Sequence, residues 1–429
     1  MDMRTQGLVK RRAASLGAAA VTIALMATST RLAVAQTTSL DPPAQATAPA
    51  QSAPASTRED TIEQAQAAKA QALQPYAPAR GERFFLRLDR IMKGELSRWH
   101  PFFDSAYSGG GFTLGAGRVV YVSDYNYIDA RGSYTIKDYK RIEAEFVAPR
   151  LFNRRGTLSL TGGWREATQV GFYGLGTNSA HDNRTNYLFQ QPYASLLLTV
   201  FPSRKLLMLR GGMELTQWSQ QSGEGSYPSV ETRYTPETLP GLGENITYAH
   251  TQGTVGIDSR PSPGYARRGG FYGVTLHDYA DTDERYGFGM VQYEAIQHLP
   301  ILRDTWVLSL HGRLQSAIDK DTQQTPFFML PALGGGSSLR GYQSWRFRDR
   351  NALLLQAEWR IIANRYLDLA FFYDTGKVTA RRSDLDLHGL KDDAGVGFRF
   401  HGPFATPLRI ELAKSREGFA LVFAASPSF

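Results

Sequence analysis

The chain has 429 residues, 41 of them glycine, 12% of them aromatic and none cysteine, with a formal net charge of +8. The absence of cysteine excludes a disulfide framework, a thiolate metal site, a thiol nucleophile and a lipid-modified N-terminal cysteine. The basic excess is no nucleic-acid footprint: five basic residues against Asp2 in the first 35 account for +4, and the other +4 is scattered among acids.

Residues 1–35 read as a secretory signal peptide. Lys10, Arg11 and Arg12 form the basic region, 13–27 the apolar core, and Ala33-Val34-Ala35 the small-residue cleavage site. No run of 18 apolar residues follows, so no transmembrane helix is expected. A secreted soluble fold or a membrane β-barrel is left. Residues 36–79, rich in Ala, Pro, Gln, Ser and Thr, are expected to be a disordered periplasmic linker, with a weak helix over 61–73. Residues 80–99 carry apolar side chains at 84, 85, 88, 91, 92 and 96, the spacing of a short amphipathic helix that covers one barrel mouth.

From residue 100 the pattern becomes period two. Ile142, Ala144 and Phe146 alternate with Arg141, Glu143 and Glu145. Leu353, Leu355, Ala357 and Trp359 alternate with Leu354, Gln356, Glu358 and Arg360, and Leu369, Phe371 and Tyr373 with Asp368, Ala370, Phe372 and Asp374. One face of each strand is apolar and the other polar. Segments of about ten residues, filling the chain to its end, suit strands that cross a bilayer at a tilt with a wet lumen inside. The sequence predicts an all-β fold over 100–429, a transmembrane antiparallel β-barrel of about 16 strands. The strands are placed at 101–107, 111–121, 126–136, 139–149, 157–170, 185–201, 205–219, 246–259, 270–281, 285–298, 305–317, 351–363, 366–379, 391–402, 406–415 and 418–429. The last carries Phe419, Leu421, Phe423 and a terminal Phe429, which resembles the C-terminal assembly signal of bacterial outer-membrane barrels.

The connection over 318–350 is far longer than a hairpin turn, and long ordered loops are usually functional. Its centre holds Gly334, Gly335, Gly336, two serines, and then Leu339-Arg340-Gly341-Tyr342. This stretch resembles the signature loop of the BamA/TamA-type superfamily, the bacterial surface antigen family of outer-membrane assembly and translocation barrels. The resemblance implies that the loop folds into the lumen and that Arg340, with Gly341 and Tyr342, docks on inward acids at Glu358 and Asp374. Asp258-Ser259-Arg260 with Arg267-Arg268-Gly269 resembles the family's periplasmic turn, and 402–429 its last hairpin. A guanidinium bonds two carboxylates in a fixed fork geometry that an ammonium cannot match. About 45 linker residues and one helix are too few for the family's POTRA domains, so the resemblance is to a member lacking them.

The eight histidines are scattered, and no zinc-protease, nucleophile-elbow or Walker pattern occurs. Gly174-Leu175-Gly176 and Gly395-Val396-Gly397 fit bending strands better than a nucleotide site. Asp281, Asp283 and Glu284 fit a solvated loop better than a Ca²⁺ site. His311 and Arg313 with Glu358 fit polar lumen lining better than an active centre. No enzyme, cofactor, metal or nucleic-acid partner is therefore expected. The expected function is insertion or translocation of proteins, or lipids, at the outer membrane. Its partners would be membrane lipid, the assembly machinery that inserts the barrel itself, and unfolded outer-membrane proteins. The alternative is a passive channel, porin or surface antigen with 318–350 as a plug.

Overall fold

The computed structural model describes residues 57–72, 98–203, 206–302 and 304–429. The expected leader, and the helix expected over 80–99 apart from its last two residues, lie outside the described residues. The chain divides into two units, 1–76 and 77–429. In the first, Arg58–Ala72 form a helix, α1. Its Ala, Gln and Glu content favours helix intrinsically, so the disorder expected over 36–79 does not extend to these residues.

The second unit is built on a 16-stranded antiparallel sheet in which each strand pairs with its neighbours in chain order. Its strands are β1 (Trp99–Pro101), β2 (Thr113–Tyr121), β3 (Tyr127–Thr135), β4 (Lys140–Arg150), β5 (Gly156–Phe172), β6 (Thr185–Val200), β7 (Leu207–Ser222) and β8 (Asn245–Asp258). They continue as β9 (Gly269–Asp281), β10 (Phe288–Leu302), β11 (Trp306–Asp319), β14 (Asn351–Ile362), β15 (Leu367–Thr379), β16 (Lys391–Phe400), β17 (Leu408–Ser415) and β18 (Gly418–Ala424). Two short strands inside the long loop, β12 (Ala332–Leu333) and β13 (Phe347–Arg348), pair only with each other.

The alternation is inside out. Leu114, Ile142, Met213, Leu215, Val255, Leu276, Phe398 and Leu412 are exposed on one face. Glu143, Gln191, His250, Glu358, Asp374, Arg399 and Glu411 are buried on the other. A sheet that shows leucine outward on strand after strand and hides arginine and glutamate is stable only with lipid outside and a polar lumen inside. Residues 259–268 and 363–366 are among the short turns at one end. The long connections, 223–244 and 320–350 among them, lie at the other.

The first strand departs from expectation. Instead of a strand over 101–107, β1 is three residues long and makes three register pairs with β2. Pro101 carries no N–H for a ladder. Residues 102–112 leave the sheet, and Ala106 is buried in the lumen cluster against which Tyr107 packs. The last strand also differs: β18 ends at Ala424, so Phe419, Leu421 and Phe423 are exposed on its outer face but Phe429 is not on it.

An outward charge tests the inside-out reading. Leu215 is 65% exposed. Leu215→Arg should lower barrel stability in liposomes by about 2–4 kcal/mol, measured by urea unfolding in lipid. In a water-facing sheet the same change would be nearly neutral.

Candidate functional site

Loop 320–350 enters the lumen in two layers. Phe327 and Phe328 join Phe172, Tyr187, Phe189 and Trp218 of β5, β6 and β7 in one apolar cluster. Above it, β12 pairs with β13, and residues 334–346 form the tip between them. The tip closes on itself: Gly335 N donates to Leu339 O at 3.1 Å and Gly334 N to Ser338 Oγ at 2.8 Å. Gly334 sits at φ +116°, where a Cβ would strike the backbone of Gln343 and Arg346. Leu333, Leu339, Tyr342 and Phe347 pack against Leu354 and Val378 on the wall.

Arg340, fully buried, is the centre of the site. Its Nε and Nη2 donate to the two oxygens of Asp374, each at 2.7 Å. Its Nη1 donates to Glu358 at 2.8 Å and to Glu411 at 2.9 Å. Its guanidinium carbon lies 3.5 Å from the ring centre of Phe372. The structure thus brings Arg340 together with both acids expected from the sequence, and adds a third from β17. Gln356 holds Asp374 from below, donating to it at 3.0 Å and to Ser338 O at 2.8 Å. Two more arginines complete the network. Arg399 donates to Glu358 at 2.6 Å and pairs with Glu411 at 2.5 Å. Arg409 donates to Glu411 at 2.8 Å and to Gly336 O at 3.2 Å. Removal of one partner from such a buried set costs more than the pair itself contributes, because the rest stay charged and dry.

The glycines make the room. Gly395 and Gly397 face inward on β16, and Cβ atoms there would meet Phe372 and Glu411 respectively. The Gly395-Val396-Gly397 pattern is thus a niche for the network. At Gly341 a Cβ would lie 2.6 Å from that of Asp393. Asp393 is 2% exposed and stands directly across from Asp374 in the ladder of β15 and β16.

The same tip reaches the segment between β1 and β2 and the last hairpin, β17 and β18. Trp345 stacks on Tyr107 with ring centres 4.4 Å apart and donates from Nε1 to Ser108 O at 2.9 Å. Ser108 Oγ donates to Ser344 Oγ at 3.1 Å. The next residue, Arg346, donates from Nε to both oxygens of Glu417 at 2.9 and 3.0 Å, in the turn between β17 and β18. Ser415 Oγ donates to Gly341 O at 2.8 Å, and a Cβ on Gly336 would meet Val422 of β18. Trp345 has φ +63°, unusual for a bulky residue, and such a conformation costs about 1–3 kcal/mol and persists only where its surroundings hold it. Among the described residues, β1 and β18 share no register with each other.

At the short-turn end, residues 259–268 arch inward. Arg260 pairs with Asp258 through Nε and Nη2, each at 3.0 Å. Tyr265 stacks on His401 at 3.8 Å and donates to Asp368 at 2.9 Å. Gly269 has φ +82°, with no room for a Cβ beside Ser259. The other candidates fall into structural roles. Asp281 accepts from the backbone N–H groups of Asp283, Arg285 and Tyr286 and so caps its turn. His311 bonds Gln356 at 2.8 Å and Glu294 at 3.1 Å. No group of three metal-ligating side chains occurs among the described residues.

Glu411, Arg399 and Arg409 were missed from the sequence, although the parity that selects Glu358 also turns Glu411 inward on β17. Phe429, expected as the end of an outward strand face, instead turns into the lumen and stacks on His311 at 5.0 Å.

A family model described as the Omp85 superfamily domain matches residues 126–418. Among solved structures, BamA from Haemophilus ducreyi lacking POTRA domains 1–3 matches with a TM-score of 0.53 at 15% identity, covering 82% of this chain and 79% of that one. CdiB from Escherichia coli matches with a TM-score of 0.51 at 12% identity, covering 77% of this chain and 59% of that one. At such identities the likeness is one of fold. No curated protein matches the sequence.

Substitutions at two positions test the network. Arg340→Ala should destabilise the folded barrel by about 3–5 kcal/mol, and Arg340→Lys should recover little of it because the fork to Asp374 is lost. Asp393→Asn should leave it at least as stable, because it takes away a second buried carboxyl directly across from Asp374. Loss of the heat-modifiable fast-migrating form with temperature reads both.

Proposed function

The chain belongs to the Omp85 superfamily, matched over more than half its length, and from that premise we propose that it inserts or translocates other chains by parting β1 from β18. The family and fold support a bacterial outer-membrane β-barrel of the assembly and translocation type. The finer reading concerns how such a barrel would work. A strand edge in lipid needs a partner for its backbone groups, and a complete ladder offers no edge to an incoming strand. Here the end strands of the sheet are a three-residue β1 and a seven-residue β18, and no ladder joins them among the described residues.

The observation that carries the proposal is the position of loop residues 344–346. Ser344 and Trp345 hold the β1 side through Ser108, and Arg346 holds the β18 side through Glu417. In this reading the seam is bridged by side chains of one loop rather than by backbone pairing. Several side-chain hydrogen bonds of about 1 kcal/mol each are easier to break and remake than a strand ladder. Arg340 keeps the loop anchored on β14, β15 and β17 meanwhile. The substrate would be an unfolded outer-membrane protein strand, the N-terminal segment would lie in the periplasm, and the protein would act without catalytic chemistry.

The chain has no cysteine, so an introduced pair reports without background. Ser108→Cys with Ser344→Cys, oxidised, should tie the β1 side to the loop. Purified protein in liposomes is given a urea-denatured barrel substrate, and protease-protected folded product is scored. Acceleration over empty liposomes that falls on oxidation and returns with reductant is the expected result. Acceleration unaffected by the lock would sink the lateral opening. No acceleration by the reduced protein would leave a pore plugged by loop 320–350 as the better account.

A further inference from the structure

β18 ends at Ala424, but the chain does not leave the barrel there. The five residues that follow turn inward, beneath the Arg340 network. Arg409 Nε donates to Ser426 O at 2.6 Å. Ser428 Oγ donates to Glu358 Oε2 at 2.8 Å, the same oxygen that accepts from Arg340 and Arg399. The Phe429 ring stacks on His311 at 5.0 Å and on His298 at 6.2 Å, and packs against the lumen cluster of Met208, Phe271 and Ile296. The tail therefore runs from β18 to the inner wall of β10 and β11. The arch over 259–268 meets it from the other side. Pro263, Tyr265 and Ala266 line, with Pro427, Ser428 and Phe429, a residual cavity of about 20 Å³, room for roughly one water.

We propose that residues 425–429 are an internal plug: the segment after β18 seats half-buried Pro427, Ser428 and Phe429 on the lumen wall below the Arg340 network, narrows the lumen there and holds the end of β18 inward. Three features carry this. The contacts are specific, a hydrogen bond at Ser426, another at Ser428 and an aromatic seat for Phe429. They use groups already fixed by the network, Arg409 and Glu358, so the receptor side is preorganised. And the sequence Ser426-Pro427-Ser428 cannot extend β18, because Pro427 has no N–H to give a ladder. The plug differs from loop 320–350, which enters from the long-loop end. It is also independent of the lateral opening, since a passive pore would be narrowed by the same tail.

Ser309 is 1% exposed, bonds His298 and lines the cavity beside Phe429. With no native cysteine, Ser309→Cys gives a single reporter beneath the tail. Its maleimide labelling is compared in the full chain, in a chain ending at Ala424, and in the full-length Phe429→Ala variant, each shown to be folded by heat-modifiable mobility. Release of the tail should speed labelling on the order of tenfold and raise single-channel conductance in a planar bilayer. Phe429→Ala serves where the shortened chain does not fold. Equal labelling rates in the folded variants, or an unchanged conductance, would overturn the plug.

Discussion

One buried cation organises this barrel. Arg340 is fully buried, yet it lies on a loop rather than on a strand. A guanidinium can be taken out of water only if nearly all its donors are met by charged acceptors held in place. The structure meets that demand with Asp374, Glu358 and Glu411 from three strands, Gln356 behind Asp374, and the Phe372 face against the guanidinium. Much else follows from it. Gly395 and Gly397 must lack side chains, Gly341 must allow close approach to β16, and the acids then need Arg399 and Arg409 to balance them.

The anchoring has a second consequence at the seam. A barrel whose end strands do not pair would ordinarily expose unmet backbone groups to lipid. Here the anchored loop presents Trp345 to one side and Arg346 to the other. These are neighbours in sequence, so one residue step links the segment after β1 to the turn before β18. The left-handed φ of Trp345 fits that geometry: two adjacent side chains must point to opposite sides of the junction. Strain at such a place is held only while both contacts are made.

The sequence made the repeating features legible and hid the singular ones. Period-two alternation placed the sixteen strands within a few residues, apart from the first and the end of the last, because lipid outside and water inside impose one rule on every strand. The same parity marked Glu358 and Asp374 as inward. It marks Glu411 as well, but Arg409 and Arg399 look like ordinary lumen polarity until Arg340 is placed among them. β1 was misjudged because a run of aromatic residues before Gly109 reads as strand, whereas Ala106 and Tyr107 are drawn to the lumen cluster beneath Trp345. The tail was hidden for a different reason. A terminal phenylalanine after alternating apolar residues has the right parity for the lipid face, and only the contacts of Ser426 and Ser428 reveal the turn inward.

Glu358 joins these parts into a single equilibrium. It accepts from Arg340 of the loop, from Arg399 of the wall and from Ser428 of the tail. Arg409 does the same from the donor side, bonding Gly336 of the loop, Ser426 of the tail and Glu411 of the wall. Loop and tail thus share two wall groups while entering the lumen from opposite ends. Coupling between two such sites is reciprocal: whatever free energy the seated tail lends to the loop, the seated loop lends to the tail. Freeing the tail leaves Glu358 and Arg409 each one partner short, which in a buried network changes the strength of the remaining bonds. Loop anchoring and the seat of the tail therefore draw on the same wall groups. They are two readings of one charge network on β14 to β17, joined at Glu358 and Arg409.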